Sequence, residues 1–267
     1  SAGPRTPASG RQVNHDNGVQ HGNSQVSFSH DDSSDDQPWG HVWAIDPKDR
    51  FRIVFANIGG FPVDSRDPKM EAIQHYTMAL NAQAIGLTEC NVHWKKVPAF
   101  ARLHERTMGW FEALGINTAY FERYAAGAPF QPGGVSLWSI GVGVHRTQST
   151  GQDSSGLGRW AWTRYRGRQG INLRVVTAYR PVLNTSGALS VWSQQKSHFE
   201  AQDDDRCPRD IFIVDILKEV QAWKEEGDQI VIGIDANEDV RTGKLAKAFR
   251  DEGLIKICTT IHGQNGP

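Results

Sequence analysis

Apolar runs of strand length alternate with segments of helical period along the chain after about residue 52. Residues 53–56 and 84–87 are continuous apolar runs, which are typical of buried strands. Between them, Asp67 and Pro68 supply an N-cap and a first-turn proline, and apolar residues follow at helical spacing. The pattern therefore predicts a parallel βαβ unit at the start of the fold.

The pattern changes further along the chain, where strand-like segments outnumber helical ones. In chain order, the remaining predicted elements are a helix at 97–114, strands at 134–138, 161–165 and 173–179, a helix around 211–220, a strand at 229–234, a helix at 243–252 and an unfinished strand at 254–258. Because parallel and antiparallel connections both occur, we predict an α+β fold, a four-layer sandwich of two packed mixed β-sheets flanked by helices, with its final strands missing.

The first 47 residues differ in composition from the rest. Ser, Gly, Asn, Gln and Asp dominate there, and residues 31–36 form an acidic run. We predict a disordered acidic arm over 1–47 and one domain over 48–267. The arm holds two Arg and six Asp, so with a formal net charge of −1 for the whole chain the remainder is +3, which is mildly basic.

Composition also excludes some classes of protein. No apolar run reaches the length that a membrane span needs, and three cysteines are too few for a disulfide framework or a zinc cluster. We expect a monomer in a reducing intracellular compartment, nuclear or cytoplasmic. The sequence starts without Met and ends with no closing helix or strand, so we expect it to be a fragment.

Polar residues follow three of the predicted strands at the point where each strand ends. Asn57 ends the first strand, Glu89 comes two residues after the second, and Asp235 and Asn237 follow the strand at 229–234. Open α/β architectures place ligands at such strand ends. Carboxylate and amide oxygens suit Mg²⁺ or Mn²⁺, and amides also donate hydrogen bonds to phosphate. The alternative is that each residue is only a turn former or a helix cap.

Five segments in chain order resemble the motifs of the endonuclease/exonuclease/phosphatase superfamily of Mg²⁺-dependent phosphodiesterases. That superfamily includes apurinic endonucleases, deoxyribonuclease I and the endonuclease domains of retrotransposons. The five segments are Phe55-Ala56-Asn57-Ile58-Gly59-Gly60, Ile85-Gly86-Leu87-Thr88-Glu89, Pro132-Gly133-Gly134-Val135, Val176-Thr177-Ala178-Tyr179-Arg180-Pro181 and Ile232-Gly233-Ile234-Asp235-Ala236-Asn237.

The resemblance implies a role for each of these polar residues. Glu89 would ligate Mg²⁺ with help from Asn57, which would also touch the scissile phosphate. Asp235 would orient or deprotonate the attacking water. Asn237 and Tyr179 would bind the phosphate, and Asn237 would also stabilise the transition state. For Tyr179 the alternative is an ordinary core aromatic.

The chain also departs from the superfamily pattern. Many members carry an acidic residue where this chain has Gly59, and an Asn often stands at the position of Val182. The two closing motifs, an Asp at a strand start and an Asp-His pair, are not found after Asp239, and His262 has no Asp before it. We expect the strand with the catalytic His to lie outside this sequence, which leaves the activity of the fragment itself in doubt.

A basic and aromatic segment spans residues 158–170 and is the candidate nucleic-acid-binding hairpin. Its four arginines are Arg159, Arg164, Arg166 and Arg168. Arginine pairs with phosphates, and aromatic rings stack on bases. The alternative, held as equally plausible, is that the aromatic residues alternate into the core while the arginines are merely solvated.

These observations favour a Mg²⁺-dependent phosphodiesterase, with Mn²⁺ as an alternative ion, that acts as a DNA endonuclease in a retrotransposon or a similar element. One alternative is a hydrolase of the same fold that acts on RNA or phospholipid head groups, since fold alone does not decide the substrate. Another is a degenerate domain or fragment without catalytic function, which Gly59 and the missing His would suit.

Overall fold

A computed structural model describes residues 50–62, 67–123, 130–184, 187 and 189–257. The predicted acidic arm at 1–47 lies outside these residues, as does His262, so both predictions stay untested. Among the described helices the longest has 18 residues, and neither it nor a shorter one is apolar enough to cross a bilayer.

Eight strands form two four-stranded sheets. In chain order they are β1 (Ile53–Asn57), β2 (Ala84–Thr88), β3 (Leu114–Ala119), β4 (Val135–Ile140), β5 (Thr147–Gln152), β6 (Trp160–Arg166), β7 (Asn172–Tyr179) and β8 (Gln229–Asp235). The strand order is β1-β2-β4-β3 in the first sheet and β5-β6-β7-β8 in the second. β1 and β2 pair in parallel, as do β7 and β8, and the other pairs are antiparallel. The predicted architecture of two mixed sheets is confirmed.

Helices flank the sheets. They are α1 (Pro68–Ala79), α2 (Leu103–Arg106), α3 (Val142–Arg146), α4 (Val191–Glu200), α5 (Pro208–Glu225) and α6 (Lys244–Asp251). The side chain of Asp67 accepts a hydrogen bond from the Lys69 amide at 2.9 Å, which confirms the predicted start of α1. α1 packs its buried residues on the first sheet, and α5 and α6 pack theirs on the second.

The two sheets pack face to face over a shared apolar core that includes Leu137, Ala161 and Val175, each fully buried. Near the edge formed by β1 and β8, the Phe55 ring fills the space above two glycines. A Cβ atom on Gly233 would lie 2.0 Å from the Phe55 ring, and one on Gly86 would lie 2.5 Å from it. Glycine at both positions therefore lets β1 and β8 approach each other around one aromatic ring.

Two sequence predictions of secondary structure are wrong, the helix at 97–114 and the strand that begins at 254. Four elements of the described residues were not predicted at all: β3, β5, α3 and α4. The segment 97–114 is not one helix: two short 3₁₀ turns, Trp94–Lys96 and Ala99–Ala101, precede the four-residue α2, and β3 begins at Leu114. Pro98 removes a backbone donor before the second turn, and Gly109 has a φ of +80°, which a helix interior does not allow.

The strand β5 was not predicted, because its sequence Thr-Gln-Ser-Thr-Gly-Gln lacks the apolar positions that indicate a strand. Residues 254–257 do not pair with a sheet. Gly253 ends α6 in a left-handed conformation with a φ of +77°, and the Leu254 amide donates back to the Phe249 carbonyl.

Candidate active site at the strand ends

Asn57 and Asp235 join the two sheets at the carboxyl ends of the edge strands β1 and β8. The Asn57 Nδ2 atom donates to Asp235 Oδ2 at 2.8 Å. The Asn57 Oδ1 atom accepts from the Gly59 amide at 2.9 Å, which fixes the orientation of the side-chain amide. The end of each strand therefore presents one polar group to the other across the sandwich.

Glu89 follows β2, the strand that pairs in parallel with β1, and has a left-handed backbone conformation. Its φ is +53°, and that of Asn91 is +56°. Two backbone hydrogen bonds, from Cys90 to Gly134 and from Asn91 to Gly133, hold this segment, and the Gly133 amide donates to Asn91 Oδ1 at 2.7 Å. The backbone forms the left-handed turn that places Glu89 at the strand ends.

The segment of Glu89 bonds to a turn in which both residues, Gly133 and Gly134, have to be glycine. Both residues have a positive φ, of +77° and +78°. A Cβ atom on Gly133 would lie 2.8 Å from Val191 and 3.4 Å from the Tyr179 ring. Glycine here lets the turn approach both Tyr179 and the segment of Glu89.

Tyr179, the last residue of β7, lies between the two sheets at this edge. It is 6% exposed, and its hydroxyl lies near Glu89 of the first sheet and Asn237 of the second. Burial raises the pKa of Tyr179 far above its ordinary value, and the negative charges of Glu89 and Asp235 raise it further. The phenol therefore stays neutral and keeps a proton to donate.

Asn237 sits in the turn that follows β8. Its φ is +48°, and its Nδ2 atom donates to the Arg180 carbonyl at 2.8 Å. The Arg180 amide donates to the Asp235 carbonyl at 3.0 Å. These bonds tie the turn after β8 to the end of β7. The structure thus brings together Asn57, Glu89, Tyr179, Asp235 and Asn237, the five residues predicted at strand ends.

The chemistry of these side chains fits a hard divalent cation. Within the described residues no group of three or more His, Cys, Asp and Glu converges as a metal site. The strand ends instead combine two carboxylates with two amides and a phenol. Mg²⁺ keeps several waters and is bound through one or two carboxylates, so a full cage of protein ligands is not needed.

Arg159 and Arg164 of the basic hairpin are engaged in ion pairs. Arg159 is 1% exposed, and its guanidinium pairs with Asp153 at 2.6 Å and Asp215 at 2.8 Å. Arg164 pairs with Asp228 at 2.8 Å. Trp160 and Tyr165 of the same strand are buried, as the alternative interpretation of the segment expected.

Arg166 and Arg168 are exposed but lie far from the strand ends. Arg166 pairs with Asn172 at the beginning of β7, whereas Tyr179 is its last residue. Seven residue steps along a strand span about 23 Å. The structure does not bring Arg166 and Arg168 to Tyr179, and the role of the hairpin in binding nucleic acid stays a prediction.

Sequence reasoning missed four side chains next to the strand ends. Arg180, Arg209 and Glu238 lie behind the turn of Asn237, and the Lys69 ammonium donates to the Gly59 carbonyl at 3.2 Å. Arg180 is the middle residue of the Tyr-x-Pro motif, so its place in the sequence could have indicated that it lies near the site. Lys69 and Arg209 come from the first turns of helices, and nothing local in the sequence shows where those turns lie.

Comparisons with known proteins show the fold. Neither a scan against protein-family models nor a search of curated proteins finds a match. Among solved structures, the human Nocturnin catalytic domain with bound sulfate is 13% identical with a TM-score of 0.53, over 81% of this chain and 76% of that one.

The AP endonuclease LMAP from Leishmania major is 12% identical with a TM-score of 0.56, over 84% of this chain and 73% of that one. At such identities the likeness concerns the fold. The fold that the resemblance implied is therefore confirmed.

Proposed function

We propose that this chain is a metal-dependent phosphodiesterase that cleaves nucleic acid, with DNA as its substrate class. The observation that carries the proposal is the convergence of five polar side chains at the carboxyl ends of two parallel strand pairs, one pair in each sheet. The shared fold with the two solved structures supports it, since one of them is named as an AP endonuclease.

Glu89 and Asn57 are the residues that would hold the cation. The Glu89 carboxylate follows β2 and lies near the Tyr179 hydroxyl, and the Asn57 amide oxygen lies at the end of the adjacent strand. A bound Mg²⁺ or Mn²⁺ supplies positive charge that polarises the phosphoryl oxygens.

Asp235 is placed to orient the attacking water. Asn57 donates to one oxygen of this carboxylate, which fixes the plane of the carboxyl group. A carboxylate is an acceptor for a water proton, and hydrogen-bond reach is the first requirement for a general base. Asp235 therefore accepts a proton from the water that attacks phosphorus.

Tyr179 and Asn237 are the neutral donors for the phosphate. Because the pKa of Tyr179 is raised, its hydroxyl carries a proton throughout the neutral and mildly alkaline range. The Asn237 amide has two N–H groups, of which one is used on the Arg180 carbonyl. Donors fixed in place before the reaction stabilise the charge that develops on the phosphoryl oxygens.

The proposal is tested by measuring Mn²⁺ binding and cleavage of a DNA oligonucleotide by the wild type and by Glu89→Gln. We expect the wild type to bind Mn²⁺ and cleave DNA only with the metal. Glu89→Gln should weaken Mn²⁺ binding and lower the cleavage rate by about 10²–10³-fold, the loss seen when one such charge-stabilising group is removed. Glu225→Gln, an exposed change at the end of α5, is the matched control.

Two outcomes would contradict the proposal. Cleavage that persists in EDTA would exclude the metal, and equal Mn²⁺ binding by Glu89→Gln and wild type would exclude Glu89 as a ligand. RNA of the same sequence and a phosphodiester lipid are assayed in parallel. Faster turnover of either would reassign the substrate class without changing the reaction.

A further inference from the structure

Two arginines and one glutamate form a buried cluster behind the turn that holds Asn237. Arg180 pairs with Glu238 at 2.5 Å, and Arg209 approaches the same Glu238 oxygen at 3.7 Å. Their side chains are 2%, 13% and 11% exposed for Arg180, Arg209 and Glu238 respectively. Two guanidinium groups thus share one carboxylate, and the neighbouring Asp210 is paired with Lys244 at 3.1 Å.

The second oxygen of Glu238 is also occupied. Glu238 Oε1 accepts from the backbone amides of Leu245 and Ala246 at 2.8 and 3.2 Å, in the first turn of α6. This carboxylate therefore caps a helix and is not available to neutralise Arg209 fully. Consistent with a crowded pair of like charges, the pKa of Arg209 is lowered by burial and then by Arg180.

Arg209 bridges the loops that follow β7 and β8. Its Nη1 atom donates to the Pro181 carbonyl at 2.6 Å, and its Nη2 atom donates to the Asn237 carbonyl at 3.0 Å. Arg180 completes the connection, because its Nε atom donates to the Arg209 carbonyl at 3.2 Å. One planar guanidinium therefore sets the distance between the loop of Tyr179 and the loop of Asn237.

We propose that Arg209, supported by Arg180, is a positioning residue that holds Asn237 in its left-handed turn and places buried positive charge behind the phosphate-binding donors; this inference rests on the proposed function. The φ of +48° at Asn237 lies in the left-handed region, which Asn adopts more readily than most residues but which still needs support from its surroundings. The bond to the Asn237 carbonyl is such a support, and misplacement of a binding group by about 1 Å can cost about 10²-fold in rate.

Burying Arg180, Arg209 and Glu238 together removes three charges from water, so stability alone does not account for the cluster. Buried ionic groups repay their desolvation only when every charge is matched, and here two cations share one anion. An anion at Asn237 supplies the missing negative charge. The cluster is thus complementary to a phosphate group whose negative charge increases in the transition state.

The test compares Arg209→Met and Arg209→Lys with Arg206→Met in the intact chain. Arg206 lies three residues earlier, just before α5, but is 60% exposed and pairs with Asp204, so it is the matched control. We expect Arg209→Met to lower kcat by about 10²-fold with KM changed less than about threefold, as for a group needed chiefly in the transition state. Arg209→Lys keeps the charge but cannot donate to both carbonyls in the same way. Its kcat should therefore lie between that of the wild type and that of Arg209→Met.

Chemical rescue separates positioning from folding. Added guanidinium ion at non-denaturing concentration should restore part of the kcat of Arg209→Met, and circular dichroism checks that each variant is folded. The inference is overturned if folded Arg209→Met keeps its kcat within about twofold of the wild type, or if its loss follows a fall in melting temperature and guanidinium restores nothing. A wild type that neither cleaves DNA nor binds Mn²⁺ overturns the proposed function itself and this inference with it.

Discussion

The two ends of strands β7 and β8 both collect polar side chains, but they pair them in different ways. At the beginning of the strands, Arg174 and Arg164 donate to the two oxygens of Asp228 at 2.6–2.9 Å, and Arg174 also reaches Glu226 at 2.8 Å. At the carboxyl ends, Asp235 accepts from the neutral Asn57 amide at 2.8 Å, and the neutral phenol of Tyr179 lies near both Glu89 and Asp235.

The difference separates a structural cluster from a chemical one. The Asp228 side chain is fully buried, and its charge is balanced by two guanidinium groups, one of which stacks 4.2 Å from the Trp162 ring. Neutral donors, by contrast, orient a carboxylate without cancelling its charge. The carboxyl ends therefore keep negative charge that attracts a cation, whereas the other end of the strands has none to offer.

The largest expected effect is on stability at the beginning of the strands. Arg174→Met removes one partner of a buried carboxylate and should lower the free energy of unfolding by about 3–5 kcal/mol. The reason is that Asp228, whose side chain is fully buried, would lose two of its hydrogen bonds. Urea unfolding measures the loss. If kcat per folded molecule also fell more than about twofold, the arginine pairs at the beginning of the strands would contribute to activity as well as to stability, which would contradict the comparison.

Tyr179→Phe should produce the opposite result at the carboxyl ends. It removes the hydroxyl that lies near Glu89 and Asn237 and that would donate to the phosphate, so we expect kcat to fall by about 10–10²-fold, as for loss of a preorganised donor. Tyr165→Phe is the control, because its hydroxyl bonds Ser139 at 2.7 Å in the core between the sheets. That change should cost about 1 kcal/mol of stability and leave kcat unchanged. Equal kcat losses would show that both hydroxyls are only structural.

High pH should lower stability through Tyr179 at the carboxyl ends and leave the ion pairs of Arg164 and Arg174 with Asp228 intact. The folded pKa of Tyr179 is raised above the unfolded value of about 10, so the stability it contributes is fully present below pH 10 and is lost as the pH rises toward its folded value. Each pH unit in that range should remove about 1.4 kcal/mol. Stability measured between pH 9 and 11.5 should fall less steeply for Tyr179→Phe than for the wild type. Parallel curves would contradict the raised pKa.

The smallest expected effect is on DNA binding, and it is measured for one cationic residue at each end of the strands, Lys69 and Arg166. Lys69→Gln removes the ammonium beside Gly59 and should raise KM for a DNA oligonucleotide by about threefold and reduce the salt dependence of binding by about one ion. Arg166→Gln at the hairpin should change neither, because it lies about 23 Å along β7 from Tyr179. A larger effect of Arg166→Gln would instead support the predicted nucleic-acid role of the hairpin.

The sequence predicted the strand ends well because their signals are local. The apolar runs that became β1, β2, β7 and β8 end directly at polar residues, and parallel pairing places those ends together. The role of each polar residue came from the resemblance to a known superfamily, and it stays a prediction.

The rest depends on contacts between residues far apart in the sequence. The segment Trp160–Arg166 contains aromatic and basic residues, and this composition does not show which arginines will be covered. The answer comes from carboxylates at Asp215 and Asp228, about 55–65 residues further along the chain, in α5 and just before β8. The bridge of Arg209 escaped prediction for the same reason, since its partners are backbone carbonyls with no signature in the sequence.

The left-handed backbone at Glu89 has an evolutionary consequence. A non-glycine residue in this conformation costs about 1–2 kcal/mol, and glycine would remove most of that cost. Random substitution without selection for activity would therefore favour glycine at this position through the gain in stability. The position holds a carboxylate instead, and under the proposed function that carboxylate is the metal ligand.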